Sequence, residues 1–220
     1  MGAILWITRR AGPLLGLALL AGCVPAPADL RPPPAAVVAP PPASPSAFQM
    51  CQGDLDELGI DFQLVPAFST ERGCGLADGV KIASDGVDLN QPVSLSCELA
   101  VAVASFEYEW IEPLARRYFG EGVRRIYHAG GYACRDIRGN GHGLSEHARG
   151  RAIDLTGFEL TDGTVINVAR DWAPSGPKSR FLHALAQHAC ERFDVVLTPD
   201  HDAIHHDHLH LDLSGRKFCQ

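Results

Sequence analysis

The sequence predicts an α+β domain built on a small antiparallel sheet flanked by helices. Three observations predict it: helical apolar spacing over a long stretch ending at Gly120, several short strand-like segments after it, and an Asp162-Gly163 turn signal joining two of those segments.

Taken in order, Ser94 to Gly120 reads as the main helix. Leu99, Val103, Phe106, Trp110 and Leu114 recur at helical spacing and Gly120 supplies a stop, while Pro113 predicts a kink or split near the last turn. Val123 to Ala129 reads as a strand and Gly130 to Leu144 as a glycine-rich loop. Arg151 to Leu155 is a second short strand, and Asp162-Gly163 connects Phe158–Leu160 to Thr164–Val168 as a hairpin. Lys178 to Phe193 reads as a helix with Phe181, Leu182, Leu185 and Ala189 on one side. Asp194 to Leu197 and His208 to Leu213 complete the set as strands. No internal repeat is visible.

The residues before this domain read as an address and a tether. Arg9 and Arg10 precede an apolar run, Ala11 to Ala21, too short to remain as a membrane span. The run closes on Leu20-Ala21-Gly22-Cys23, which resembles the lipobox of bacterial lipoproteins. The resemblance implies a signal peptide over 1–22 and lipidation of Cys23; with Val24 next, it implies sorting to the outer membrane. Nine of the twenty-one residues from Pro25 to Pro45 are proline, which suits an extended stalk and not a core. The expected organisation is therefore 1–22 signal, 23–47 lipidated cysteine and tether, and 48–220 folded domain.

Arg9 and Arg10 leave with the signal, so 19 basic residues become 17 against 26 acidic ones, a formal −9. That balance argues against nucleic acid as a partner, since phosphate binding needs a basic patch. Apart from Cys23 there are six cysteines: Cys51, Cys74, Cys97, Cys134, Cys190 and Cys219. An even number in an exported chain predicts three disulfides; six cysteines admit fifteen pairings, and spacing does not choose among them.

Five of the ten histidines crowd into His201–His210. In a strand, His208, His210 and Asp212 face one way and Leu209, Leu211 and Leu213 the other, so a core can take the leucines while the imidazoles face a cleft. A second constellation is Ser145-Glu146-His147-Ala148-Arg149-Gly150-Arg151-Ala152-Ile153-Asp154. There Asp154 lies on a strand, His147 on the loop before it, and Gly150 is expected to let the chain pass close to the site. Two histidines and a carboxylate are a common catalytic zinc set with an open fourth position.

Ser145-x-His147-x-x-Gly150-x-Ala152-x-Asp154 resembles the first motif of the LAS metallopeptidases, which include D-Ala-D-Ala carboxypeptidases, murein endopeptidases and the Hedgehog signalling domain. His205-x-x-His208-x-His210 is similar to their second. With its proline-rich lead the chain looks most like bacterial proteins named for an extensin-like C-terminal domain.

The resemblance implies one zinc ion held by His147, Asp154 and His210, with His205 as general base and His208 stabilising the tetrahedral oxyanion. It implies Arg135 as the anchor of a substrate carboxylate, with Arg138, Arg149 and Arg151 as competitors. Asp212 would orient His210 or merely end the strand. The expected activity is hydrolysis of D-Ala-containing amides in peptidoglycan stem peptides, outside the inner membrane. The rival expectations are a non-catalytic wall-binding or scaffolding lipoprotein that keeps zinc for stability, and a peptidase for other peptides. His128, His142, His183, His188, His201 and His206 are read as ordinary, and Glu146 as a loop residue. Neither a GxSxG elbow around Ser145 nor an HExxH helix is present.

Overall fold

The computed structural model describes residues 46–84, 86–138 and 143–220; Cys23, the proline-rich stretch and His142 lie outside the described residues. Helix α1 (Ala47–Glu57) opens on a capping box: Ser46 Oγ accepts from the Gln49 amide, and Gln49 Oε1 accepts from the Ser46 amide.

Five strands follow: β1 (Phe62–Val65), β2 (Phe68–Ser69), β3 (Gly75–Leu76), β4 (Gly79–Ser84) and β5 (Asp88–Ser96). β4 pairs antiparallel with both β1 and β5, while β2 and β3 form a separate ribbon. These strands carry weak sequence signals, because β1 to β3 are two to four residues long and Pro92 interrupts β5.

Ser96 ends β5 and caps α2 (Cys97–Phe106), its Oγ accepting from the Leu99 amide, so the helix starts after Ser94–Ser96 and not on them. Pro113 is absorbed by a wide turn. Glu107–Ile111 are π-helical, with the Glu112 amide reaching back five residues to the Glu107 carbonyl. The proline then occupies the first turn of α3 (Glu112–Phe119), where a missing N–H needs no partner. Gly120 stops the helix at φ 75°.

The second half contributes β6 (Val123–Gly130), β7 (Ala152–Leu160), β8 (Val165–Asn167), α4 (Val168–Asp171), α5 (Pro177–Arg192), β9 (Val195–Leu197), β10 (Leu209–Asp212) and β11 (Phe218–Cys219). The two segments expected at Arg151–Leu155 and Phe158–Leu160 fuse into β7. Asp162-Gly163 makes the predicted turn to β8, with Gly163 at φ 85° and the Leu160 amide donating to the Thr164 carbonyl.

The sheet is larger than the small one expected: nine strands in the order β1-β4-β5-β6-β7-β10-β9-β11, with β8 added on β7. It is also mixed. The helices between β5 and β6 return the chain parallel, and β11 runs parallel to β9. α2, α3 and α5 cover the sheet's core, where Phe106, Phe158, Phe181 and Phe193 are fully buried. The expected three disulfides are present as Cys51–Cys97, Cys74–Cys134 and Cys190–Cys219.

Candidate metal centre

The register of β7 against β10 sets His210 directly opposite Asp154 and Leu211 opposite Ile153. Opposed residues share a face, so one face carries the carboxylate and imidazole while Ile153, Leu155, Leu209 and Leu211 enter the core, none more than 2% exposed. His147 comes from a 3-10 turn, Glu146–Arg149, whose start Ser145 caps by accepting from the His147 amide. Gly150 ends that turn at φ 65°. Its close approach is to Leu76 and the Ser96 amide, which a Cβ would meet at 2.4 and 2.9 Å; it therefore serves packing behind the turn and not passage beside the site.

His147 Nε2 lies 3.1 Å from Asp154 Oδ1 and 3.3 Å from His210 Nδ1, and His210 Nδ1 lies 2.9 Å from Asp154 Oδ1. A tetrahedral zinc with bonds of about 2.0–2.1 Å spaces its ligand atoms by about 3.3 Å, so this buried triangle fits such an ion. The outer nitrogens fit too. His147 Nδ1 donates to the Gly131 carbonyl at 2.7 Å and His210 Nε2 to Asp212 Oδ2 at 3.1 Å, which leaves both inner nitrogens with free lone pairs. In the metal-free chain, burial by itself raises the Asp154 carboxyl, but hydrogen bonds from His147 and His210 hold it below the usual range. Burial lowers His210, and Asp154 and Asp212 outweigh it, raising the imidazole to about 9.

His208 and His205 stand beside the triangle. His208 Nε2 is 3.6 Å from Asp154 Oδ1, and its Nδ1 donates to Asp207 at 2.7 Å. His205 Nδ1 donates to Asp202 Oδ1 at 2.7 Å, and its ring centroid is 5.9 Å from that of His210. Burial pulls the His205 imidazole below its ordinary value, partly offset by Asp202. Asp202, Asp207 and the Gly131 carbonyl were not anticipated. Asp202 is three residues before His205 and Asp207 adjoins His208, a spacing that signals pairing only once the turn is known.

Among the arginines of the described residues, Arg135 comes within 3.8 Å of Asp154 Oδ2 through its Nη2, and Arg138 lines the depressions beside it. Arg149 and Arg151 face Glu146, and Arg151 also donates to the Leu213 carbonyl. Glu146 is thereby paired on its turn. His183 and His188 lie against Trp172 and Trp110, 3.9 and 3.5 Å between ring centroids. His206 is exposed. His128, read as ordinary, is buried with Nε2 3.0 Å from the Gln91 carbonyl. His201, also read as ordinary, stands 5.6 Å from His205 by ring centroids.

Two depressions meet here. A cleft of 580 Å³ is lined by His205, His208 and His210, and one of 510 Å³ by His147, Asp154 and His208. Arg135 and Arg138 line both. His210 thus borders the first depression, and His147 and Asp154 border the second.

No curated protein and no solved structure matches the chain. A family model described as extensin-like protein C-terminus matches residues 49–220.

Proposed function

We propose that this chain, which belongs to the extensin-like C-terminus family, is a zinc-dependent peptidase that hydrolyses D-Ala-containing amide bonds in peptidoglycan stem peptides or their crosslinks. The observation that carries this reading is the triangle of His147 Nε2, Asp154 Oδ1 and His210 Nδ1 flanked by two carboxylate-paired histidines. Its likeness to the LAS metallopeptidases belongs to the same proposal and rests on the two sequence motifs.

His147, Asp154 and His210 would hold the ion. Zinc at such a site supplies a Lewis acid that polarises a carbonyl and brings water's pKa to about 7. The remaining steps fall to side chains. With its Nδ1 proton given to Asp202, His205 keeps a lone pair on Nε2 to accept the proton of the attacking water. His208, held by Asp207 with Nε2 3.6 Å from Asp154 Oδ1, stands to stabilise the oxygen that becomes negative in the tetrahedral state. Arg135 offers a guanidinium fork to a substrate carboxylate beside the scissile amide. Three disulfides support an oxidising compartment. In this reading Cys23 and the proline-rich tether anchor the domain to the periplasmic face of the outer membrane, within reach of the wall.

The test is mass spectrometry of crosslinked muropeptides incubated with the protein, with zinc, after chelation, and with His205→Ala. Loss of dimers or of one D-Ala, dependent on zinc and absent in the variant, is the expected result. Unchanged muropeptides with stoichiometric zinc would instead point to a scaffold that keeps its ion for stability.

A further inference from the structure

We propose that His201, Asp202 and His205 form a second, weaker site for a divalent transition-metal ion, and that filling it silences the neighbouring centre. Each residue offers one ligand atom, and the three atoms lie within 4.8 Å of one another. Imidazole and carboxylate together suit zinc and its late first-row neighbours.

The turn that carries them is already built. The His201 amide donates to the Thr198 carbonyl at 2.9 Å, and Asp202 Oδ1 accepts the amides of Ile204 and His205 at 2.8 and 3.0 Å. The C-terminal strand orients the His201 ring. Its edge meets Phe218 at 5.6 Å between centroids, and Nδ1 lies 3.3 Å from Gln220 Oε1. An amide oxygen only accepts, so Nδ1 carries the proton and the Nε2 lone pair faces Asp202 Oδ2 at 3.7 Å. Metal-binding imidazoles use this arrangement, one nitrogen tied to an outer acceptor and the other free, and His147 shows it too. The Asp202 side chain is 40% exposed against 13% for Asp154, which makes this the weaker of the two sites.

His205 links the sites. An ion here takes the Nδ1 lone pair, so the single N–H proton of the neutral ring moves through solvent from Nδ1 to Nε2. Charge and proton count of the ring are unchanged. With Nε2 protonated, His205 no longer accepts a proton from water. That consequence, unlike the site itself, rests on the peptidase reading. Scarce zinc would thus load the buried triangle, and abundant zinc would switch the base off.

The experiment equilibrates the full chain in zinc buffers of rising free concentration and measures bound metal by plasma mass spectrometry beside muropeptide turnover. The parent is expected to bind one ion, then a second, with turnover falling as the second fills. His201→Ala, and more mildly Gln220→Ala, should keep the first ion and lose or weaken the second, and should retain turnover at zinc levels that stop the parent. A stoichiometry fixed at one, or a second ion undiminished in both variants, overturns the site. A second ion bound with undiminished turnover overturns the silencing. Absence of turnover at every zinc level refutes the peptidase reading, and the stoichiometry still decides the site.

Discussion

His210 donates its Nε2 proton to Asp212 Oδ2 at 3.1 Å, two residues along the same strand, while its Nδ1 lies 2.9 Å from Asp154. The carboxylate fixes the tautomer that presents a lone pair to the centre. Asp212→Asn keeps an acceptor for the Ser214 amide but removes the charge. Zinc affinity, measured by competition with a chromophoric chelator, is expected to fall about 10–100-fold. Unchanged affinity would mean that Asp212 only ends the strand.

On the proposed peptidase reading, the pH profile follows from His205 as the base. Burial depresses it below 6.5 and Asp202 raises it in part, so the neutral base persists below pH 6.5. The acidic limb of kcat/KM should therefore fall under 6.5. Asp202→Asn removes the raising partner and should move that limb further toward acid; a limb that moves toward alkali would contradict the pairing.

The zinc-free protein has its own pH dependence. His210 is raised to about 9 in the fold, so its contribution is complete below 6.5 and disappears as pH climbs from 6.5 to 9. Asp154 is depressed, so its contribution holds above 3.8 and disappears as pH falls below that. Thermal melts in chelator should show Tm falling between pH 6.5 and 9. Zinc, which needs an unprotonated His210, should raise Tm most on that alkaline side. A chelated Tm that rises there would refute the assignment.

Two glycines with positive φ separate strain from collision. Gly150→Ala places a Cβ against Leu76 and the Ser96 backbone, whereas the Cβ of Gly120→Ala meets open space. The first should cost about 1–3 kcal/mol and further disturb His147; the second should cost about 1 kcal/mol, both read from denaturant unfolding. Equal losses would show that φ alone matters.

How much of this was legible follows from which features have a period. The alternation of Leu209, His210, Leu211 and Asp212 announces a strand with a core face and a polar face, and β10 delivers both. Asp202 and Asp207 sit on an irregular turn, where sequence spacing does not translate into direction. The Gly131 carbonyl that tethers His147 is backbone and leaves no side-chain signature. The sheet was underestimated because β1 and β11, four and two residues long, are too short to show alternation, and because the parallel pairing of β5 with β6 depends on a helical return between them.

The β7–β10 register has a consequence for handling the protein. A slip of one residue would turn Leu209 and Leu211 toward solvent and press His210 into the core, since strand side chains alternate with period two. Such a molecule would keep its chain length and much of its circular dichroism, yet have no place for the ion. On the proposed zinc assignment, the ion retained at scarce free zinc would count the correctly threaded fraction of a refolded preparation, since the weaker site at His201, Asp202 and His205 stays empty there.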